Sequence, residues 1–285
     1  MTSSEFLPPR PELPDPFPTS DPPPEPRTVP WWAPIAVMLV VFVVVSTVAV
    51  AVIGIAKAAD PTIDTGDPPD SLTIALTVFQ DAALVLAAVV AVKLALGRVR
   101  REDLGLRRVP RWGQAIVTAV VLYAVYWIAS GLLEQIFGKP PDQELVTELK
   151  HQQSFAILAG YAALTCIVAP LAEETFFRGF VFTAFARRLG PIPGALLAGA
   201  LFGLVHAPNP ILALLALGVL GVCLCALYWR TQSIVPCMAL HALNNSISFG
   251  YTKSLDAGLF LALVVGSVAL VVAIGTAVSR TAVTA

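Results

Sequence analysis

Between residues 31 and 279 the sequence turns apolar eight times, each time for roughly 17 to 25 residues, the length of helix that crosses ~30 Å of hydrocarbon. The windows fall near 31–56, 72–96, 113–137, 154–180, 193–207, 210–228, 233–250 and 257–279. A helix satisfies its own backbone hydrogen bonds within one segment, as lipid requires. The expected fold is therefore all-α, a polytopic membrane protein with about eight transmembrane helices. Hydrophobic residues make up 56% of the 285 and mean hydropathy is +0.77, far above a soluble domain. The first window starts only after Pro30 and exceeds 20 residues, so it reads as a first span and not as a cleavable signal peptide. The fifth is short and runs into Ala207-Pro208-Asn209-Pro210, which predicts a tight turn below the membrane surface.

Ahead of the first window, residues 1–30 hold 11 of the 24 prolines and few large apolar groups, so they are expected to form a disordered, proline-rich cytoplasmic tail. Residues 31–112 then make the first two spans and a basic loop, and 113–285 the remaining membrane core. Loop charge sets orientation. Thirteen basic residues fall on one side: Arg10, Arg27, Lys93, Arg98, Arg100, Arg101, Arg107, Arg108, Arg111, Arg187, Arg188, Arg230 and Arg280. Four fall on the other, Lys57, Lys139, Lys150 and Lys253, so both termini are expected to be cytoplasmic in a multi-pass cell-membrane protein. The loops around Asp60, Asp64, Asp67 and Asp70, and around Asp142, Glu144 and Glu148, would face outward. A net charge of −1 gives no footprint for nucleic acid, so the partners expected are the lipid bilayer and a substrate. Cys166, Cys223, Cys225 and Cys237 lie in apolar runs without metal-ligand spacing and read as small buried hydrophobes.

Against this background the stretch LAEETFFRGF, residues 171–180, is anomalous, because a charge at the bilayer centre costs at least ~2.5 kcal/mol and needs a partner or a purpose. In a helix Glu174 and Arg178 are i and i+4, about 40° apart around the axis, whereas Glu173 points about 140° from the arginine. The arginine thus neutralises one carboxylate and leaves the other free. A purely structural ion pair remains the competing explanation. Two of three histidines also lie in apolar windows, His206 in LFGLVHAP and His241 in MALHALNNSISF, while His151 is in a loop. If the chain reverses at Gly190-Pro191-Ile192-Pro193, Glu173 lies 17 residues before the turn and His206 16 after it. That puts them within about 2 Å of one depth. Gly199 and Gly203 form a GxxxG pair that admits a close neighbouring helix. His241 and Asn245, i and i+4, share a face and can both donate, which suits a developing oxyanion. Asn244 faces elsewhere, toward a helix neighbour.

Taken together, EETFFR (Glu173 to Arg178), FGLVH (Phe202 to His206) and HALNN (His241 to Asn245) resemble the motifs EExxxR, FxxxH and HxxxN of the CAAX protease and bacteriocin-processing (CPBP, Abi) family of intramembrane proteases. The resemblance covers roughly residues 113–250. It implies that Glu173, with His206, activates a water for attack on a peptide carbonyl, that Glu174 and Arg178 support it, and that His241 and Asn245 form the oxyanion hole. It also implies an endopeptidase acting on a membrane-associated or prenylated, CaaX-type, protein or peptide. A metal-free water is the favoured reading. The alternative is zinc on Glu173, His206 and His241, a legitimate ligand set that would take the carboxylate away from its role as base.

Two other function classes stand beside this one, the first of them implied by the same resemblance. One is a non-catalytic membrane scaffold or bacteriocin self-immunity protein, for which retaining the whole set of Glu173, His206, His241 and Asn245 has no physical need. The other is a proton-coupled transporter. Asp81, in VFQDAALV, is the further buried acid it would use, although pairing with a polar neighbour is the simpler expectation for that residue.

Overall fold

The computed structural model describes residues 28–139, 149, 152, 154–207 and 209–280. The proline-rich tail up to Arg27, the acids Asp142, Glu144 and Glu148, Lys150 and His151 fall outside them. Among the described residues there is no strand. Eight apolar helices follow one another among the described residues: α1 (Ala33–Ala59), α2 (Asp70–Leu96), α3 (Trp112–Phe137), α4 (Phe155–Leu189), α5 (Pro191–Leu204), α6 (Ile211–Thr231), α7 (Val235–Thr252) and α8 (Ala257–Arg280). The chain is an all-α, multi-pass membrane protein. Among the described residues, six helices are long and apolar enough to cross a bilayer. The two others explain the difference from eight. Helix α5 has 14 residues, about 21 Å against ~30 Å of hydrocarbon, and α7 has 18 residues whose hydropathy is lowered by His241, Asn244, Asn245 and two serines.

Chain chemistry sets the helix ends. Gly97 (φ 74°) closes α2 in the left-handed conformation that suits glycine. Gly190 (φ 89°) ends α4, and Pro191, pre-set at helical φ and lacking an N–H that the first turn does not need, starts α5. The reversal is where the sequence puts it. Helix α4, however, runs nine residues beyond position 180 to Leu189, for 35 residues or about 52 Å. Arg187 and Arg188 sit in its last turn, where they complement the carboxyl end of the helix dipole.

Helices α1 and α3 expose apolar side chains nearly all round, such as Phe42, Val50, Ile128 and Ile136, as lipid-facing segments do. Buried residues concentrate instead in α4 to α7. Phe176, Phe177, Phe180, Phe182, Phe185, Phe202, Leu220, Leu224 and Leu227 form one cluster, all but Phe177 at most 1% exposed. Because lipid is as apolar as leucine, such a core is held by close packing. The α5–α6 hairpin supplies one such close approach. A Cβ on Gly199 would lie 2.5 Å from Val222 Cγ2 and 2.8 Å from the Gly218 carbonyl, so the helix partner expected of the GxxxG pair is α6.

Candidate active site

Helix α4 carries the acids and departs from α geometry twice, in π-helical stretches at Leu164–Val168 and Thr175–Phe182. The first has a local cause. Pro170 has no N–H, and its ring clashes with the carbonyl four residues back, so the helix widens ahead of it. The Ala169 N–H bonds Leu164 O, one residue further back than in an α-helix. In that register Thr165 O would be met by residue 170, which is the proline. Thr165 O is met instead by the side chain of Asn245 on α7, at 2.9 Å.

Just past Pro170, Glu173 and Glu174 diverge as the helical wheel predicts. Glu174 and Arg178 are 0% exposed and joined Oε1 to Nη1 at 2.8 Å. Arg178 also donates from Nη2 to Gly221 O at 3.1 Å, and its guanidinium lies 4.5 Å from the Phe202 ring centre, a cation–π contact in a desolvated place. Glu174 has a second partner. His241 Nδ1 stands 2.8 Å from the same Oε1, and since a carboxylate oxygen accepts, Nδ1 carries the proton.

That bond fixes the imidazole and turns its other nitrogen toward Glu173. His241 Nε2 and Glu173 Oε2 are 4.0 Å apart, with the glutamate side chain 15% exposed. The separation is too long for a hydrogen bond and admits one water at ~2.8 Å from both atoms. Glu173 Oε2 has no hydrogen-bond partner among the described residues.

His206 differs from its expected setting. Helix α5 stops at Leu204, and His206 lies in the following turn, since prolines at 208 and 210 bar the helix from continuing. Its Nδ1 donates to Phe202 O at 2.8 Å, leaving the Nε2 lone pair available, and Asn209 bonds its carbonyl. No hydrogen bond or ion pair joins His206 to Glu173 among the described residues. What lies between is Phe202, whose ring centre is 5.3 Å from the His206 ring and 5.7 Å from that of His241. The carboxylate therefore meets His241, and the sequence paired it with His206.

Asn245 is half-buried on the His241 face. One of its two amide hydrogens serves Thr165 O, and its Oδ1 accepts from Asn244, which in turn accepts from Tyr123 on α3 at 3.4 Å. Asn244 thus bonds a helix neighbour as expected. Asp81 does not. It is 2% exposed on α2, within electrostatic reach of Glu173 and His241, yet neither carboxyl oxygen has a hydrogen-bond partner among the described residues.

The donor set gives the metal question a geometric form. Glu173 and His241 lie side by side, but His206 does not join them, and among the described residues no three of His, Cys, Asp or Glu converge to hold an ion. The arrangement of the described residues does not fit a three-ligand metal. The four cysteines are buried and unpaired, as their apolar settings predict.

Comparison with known proteins bears on the same segment. Residues 155–247 match the family model described as type II CAAX prenyl endopeptidase Rce1-like. The match runs from the start of α4 into α7 and leaves α3 outside, so it is narrower than the 113–250 of the motif-based resemblance. An uncharacterized protein of Bacillus subtilis (strain 168), YyaK, is 35% identical over 92 residues, which is 32% of this chain and 29% of that protein. The match thus spans less than a third of that relative. No solved structure matches the chain.

Proposed function

We propose that this chain, whose residues 155–247 match the Rce1-like CAAX endopeptidase model, is an intramembrane endopeptidase working through a glutamate-activated water. The single observation that carries this reading is the pairing of Glu173 Oε2 with His241 Nε2 across 4.0 Å, the imidazole being fixed from behind by a fully buried Glu174–Arg178 pair. A scaffold needs no such alignment. The ion pair alone would tie helices together, but it would not need a second carboxylate left without a hydrogen-bond partner at the open edge of the cluster.

In this reading a water held by Glu173 loses a proton to that carboxylate as its oxygen attacks the peptide carbonyl carbon. The carbonyl oxygen becomes an oxyanion. It is met by N–H donors on α7, the second amide hydrogen of Asn245 and, when protonated, Nε2 of His241, which are fixed before the charge develops. The C–N bond then breaks, and the proton on Glu173 passes to the leaving amine. His206, with a free Nε2 lone pair and separated from the Glu173–His241 pair by the Phe202 ring, accepts a hydrogen bond from the substrate. The substrate class supported by the family is a membrane-associated protein or peptide, with a prenylated CaaX-type chain as its narrower form.

The test is cleavage of a lipid-modified peptide by protein reconstituted in vesicles. Glu173→Ala and His206→Ala are each expected to reduce cleavage to background while the protein stays folded and inserted. If both variants keep full activity, the scaffold reading replaces this one.

A further inference from the structure

Asp81 is a buried acid to which neither the motifs nor the mechanism above gives a task. Its side chain is 2% exposed on α2, a helix that packs against α4, and it lies within electrostatic reach of both Glu173 and His241. Both carboxyl oxygens lack a hydrogen-bond partner among the described residues. Burying a carboxyl group without partners is costly, and the usual remedies, a basic side chain or a backbone N–H, are not used here. A group left in this condition within electrostatic reach of a reactive carboxylate is placed to bond a polar group of whatever enters the site.

Peptide-bond hydrolysis leaves one role unfilled. Glu173 is the acceptor for the proton of the water, and α7 supplies the oxyanion donors. The nitrogen of the scissile bond carries its own N–H, which needs an acceptor when the substrate is drawn out of water. Glu173 is not that acceptor once it has taken the proton it must return to the same nitrogen. We propose that Asp81 accepts the scissile N–H and then an N–H of the leaving amine, as a third carboxyl group of the site. The oxygen of water bonds to the carbonyl carbon, the C–N bond breaks, and the proton moves from Glu173 to the amine, so Asp81 orients the nitrogen and exchanges no proton with it. The inference rests on the peptidase reading, and its test separates the two.

Asp81→Asn keeps shape and one acceptor oxygen while removing the charge. It is measured on a cleavable peptide and on the matching depsipeptide, whose ester oxygen replaces the scissile N–H. The expected result is a fall in kcat/KM of at least about tenfold on the peptide, with kcat/KM on the ester within about twofold of the unmodified protein. The thermal midpoint in detergent is expected to stay level or rise, because an unpartnered buried carboxyl group contributes nothing to folding. Equal losses on peptide and ester with a lowered midpoint would make Asp81 a structural residue and overturn the proposal. Unchanged peptide turnover in Asp81→Asn, with the unmodified protein active, removes the proposal and leaves the peptidase reading standing. Failure of the unmodified protein to cleave either substrate removes both.

Discussion

Arg178 shows how a membrane interior tolerates charge. The side chain is wholly buried and keeps its cation through three directed contacts, to Glu174, to the Gly221 carbonyl and to the Phe202 ring. Removing one partner of such a pair strands the other, at a cost of about 3–5 kcal/mol, whereas replacing both charges can be nearly neutral. Arg178→Met is therefore expected to lower the thermal midpoint sharply in detergent. Glu174→Gln with Arg178→Met is expected to recover most of that loss, since the glutamine oxygen still accepts from His241. Recovery in the double variant is the decisive measurement, and its absence would mean that the arginine acts through packing. The pair itself was legible in the sequence, because i,i+4 spacing fixes it locally and the apolar flanks imply its burial. The bond from His241 to Glu174 was not. It joins residues 67 apart, and no local pattern states which faces of α4 and α7 meet. For the same reason the partner of Asp81 was misjudged. That a buried acid finds a neighbour is a fair rule, and only packing reveals an exception beside a site.

Helices add constraints that a helical wheel omits. The sequence reading treats α4 as regular, and the pairing of Glu174 with Arg178 holds although Arg178 itself lies in the second π-helical stretch, Thr175–Phe182. The first stretch was concealed in Pro170, which reads as a helix breaker yet here only widens the turn before it. Its consequence is specific: Thr165 O has lost its backbone donor and depends on Asn245. Asn245 thus has a structural duty besides the one its motif implies. A buried acceptor left unmet costs about 1–3 kcal/mol, so Asn245→Ala is expected to destabilise the protein by that order. With Pro170→Ala, residue 170 regains an N–H for Thr165 O, and the same asparagine change should then cost less. A double-mutant cycle on thermal or denaturant stability measures the coupling, expected within ~0.5–3 kcal/mol. Additive effects would show that Thr165 O is satisfied without the proline having any part in it. Helix α5 carries a related lesson. Its early end at Leu204 follows from the Pro-Asn-Pro signal that the sequence displays, but only the fold shows that His206 goes with the turn and not with the helix.

Across the whole molecule, loop contacts sort the two ends of the bundle as loop charge does. At one end the basic segment between α2 and α3 is folded onto the helix termini: Arg101 bonds Val278 O near the end of α8, Ser233 bonds Arg107 O, and the Ile234 N–H bonds Gly105 O. At the other end Asp70 accepts from Tyr161 and Gln152, and Lys253 caps the carbonyls of Leu149 and Gln152. Arg98, Arg100, Arg101, Arg107, Arg108, Arg230 and Arg280 thus gather at the end opposite Asp60, Asp64, Asp67 and Asp70. Positively charged loops are retained in the cytoplasm. Both termini are then expected on the cytoplasmic side, with the Asp-rich loop outside. The four native cysteines are buried, so single introduced cysteines report position without a background. In intact cells a membrane-impermeant thiol reagent is expected to label Asp64→Cys, and to label Arg98→Cys and Arg280→Cys only after permeabilisation. The reverse pattern would invert the assignment. Labelling of Arg98→Cys and Arg280→Cys from opposite faces would contradict the hydrogen bond that ties the basic segment to α8, and with it the order in which the helices cross.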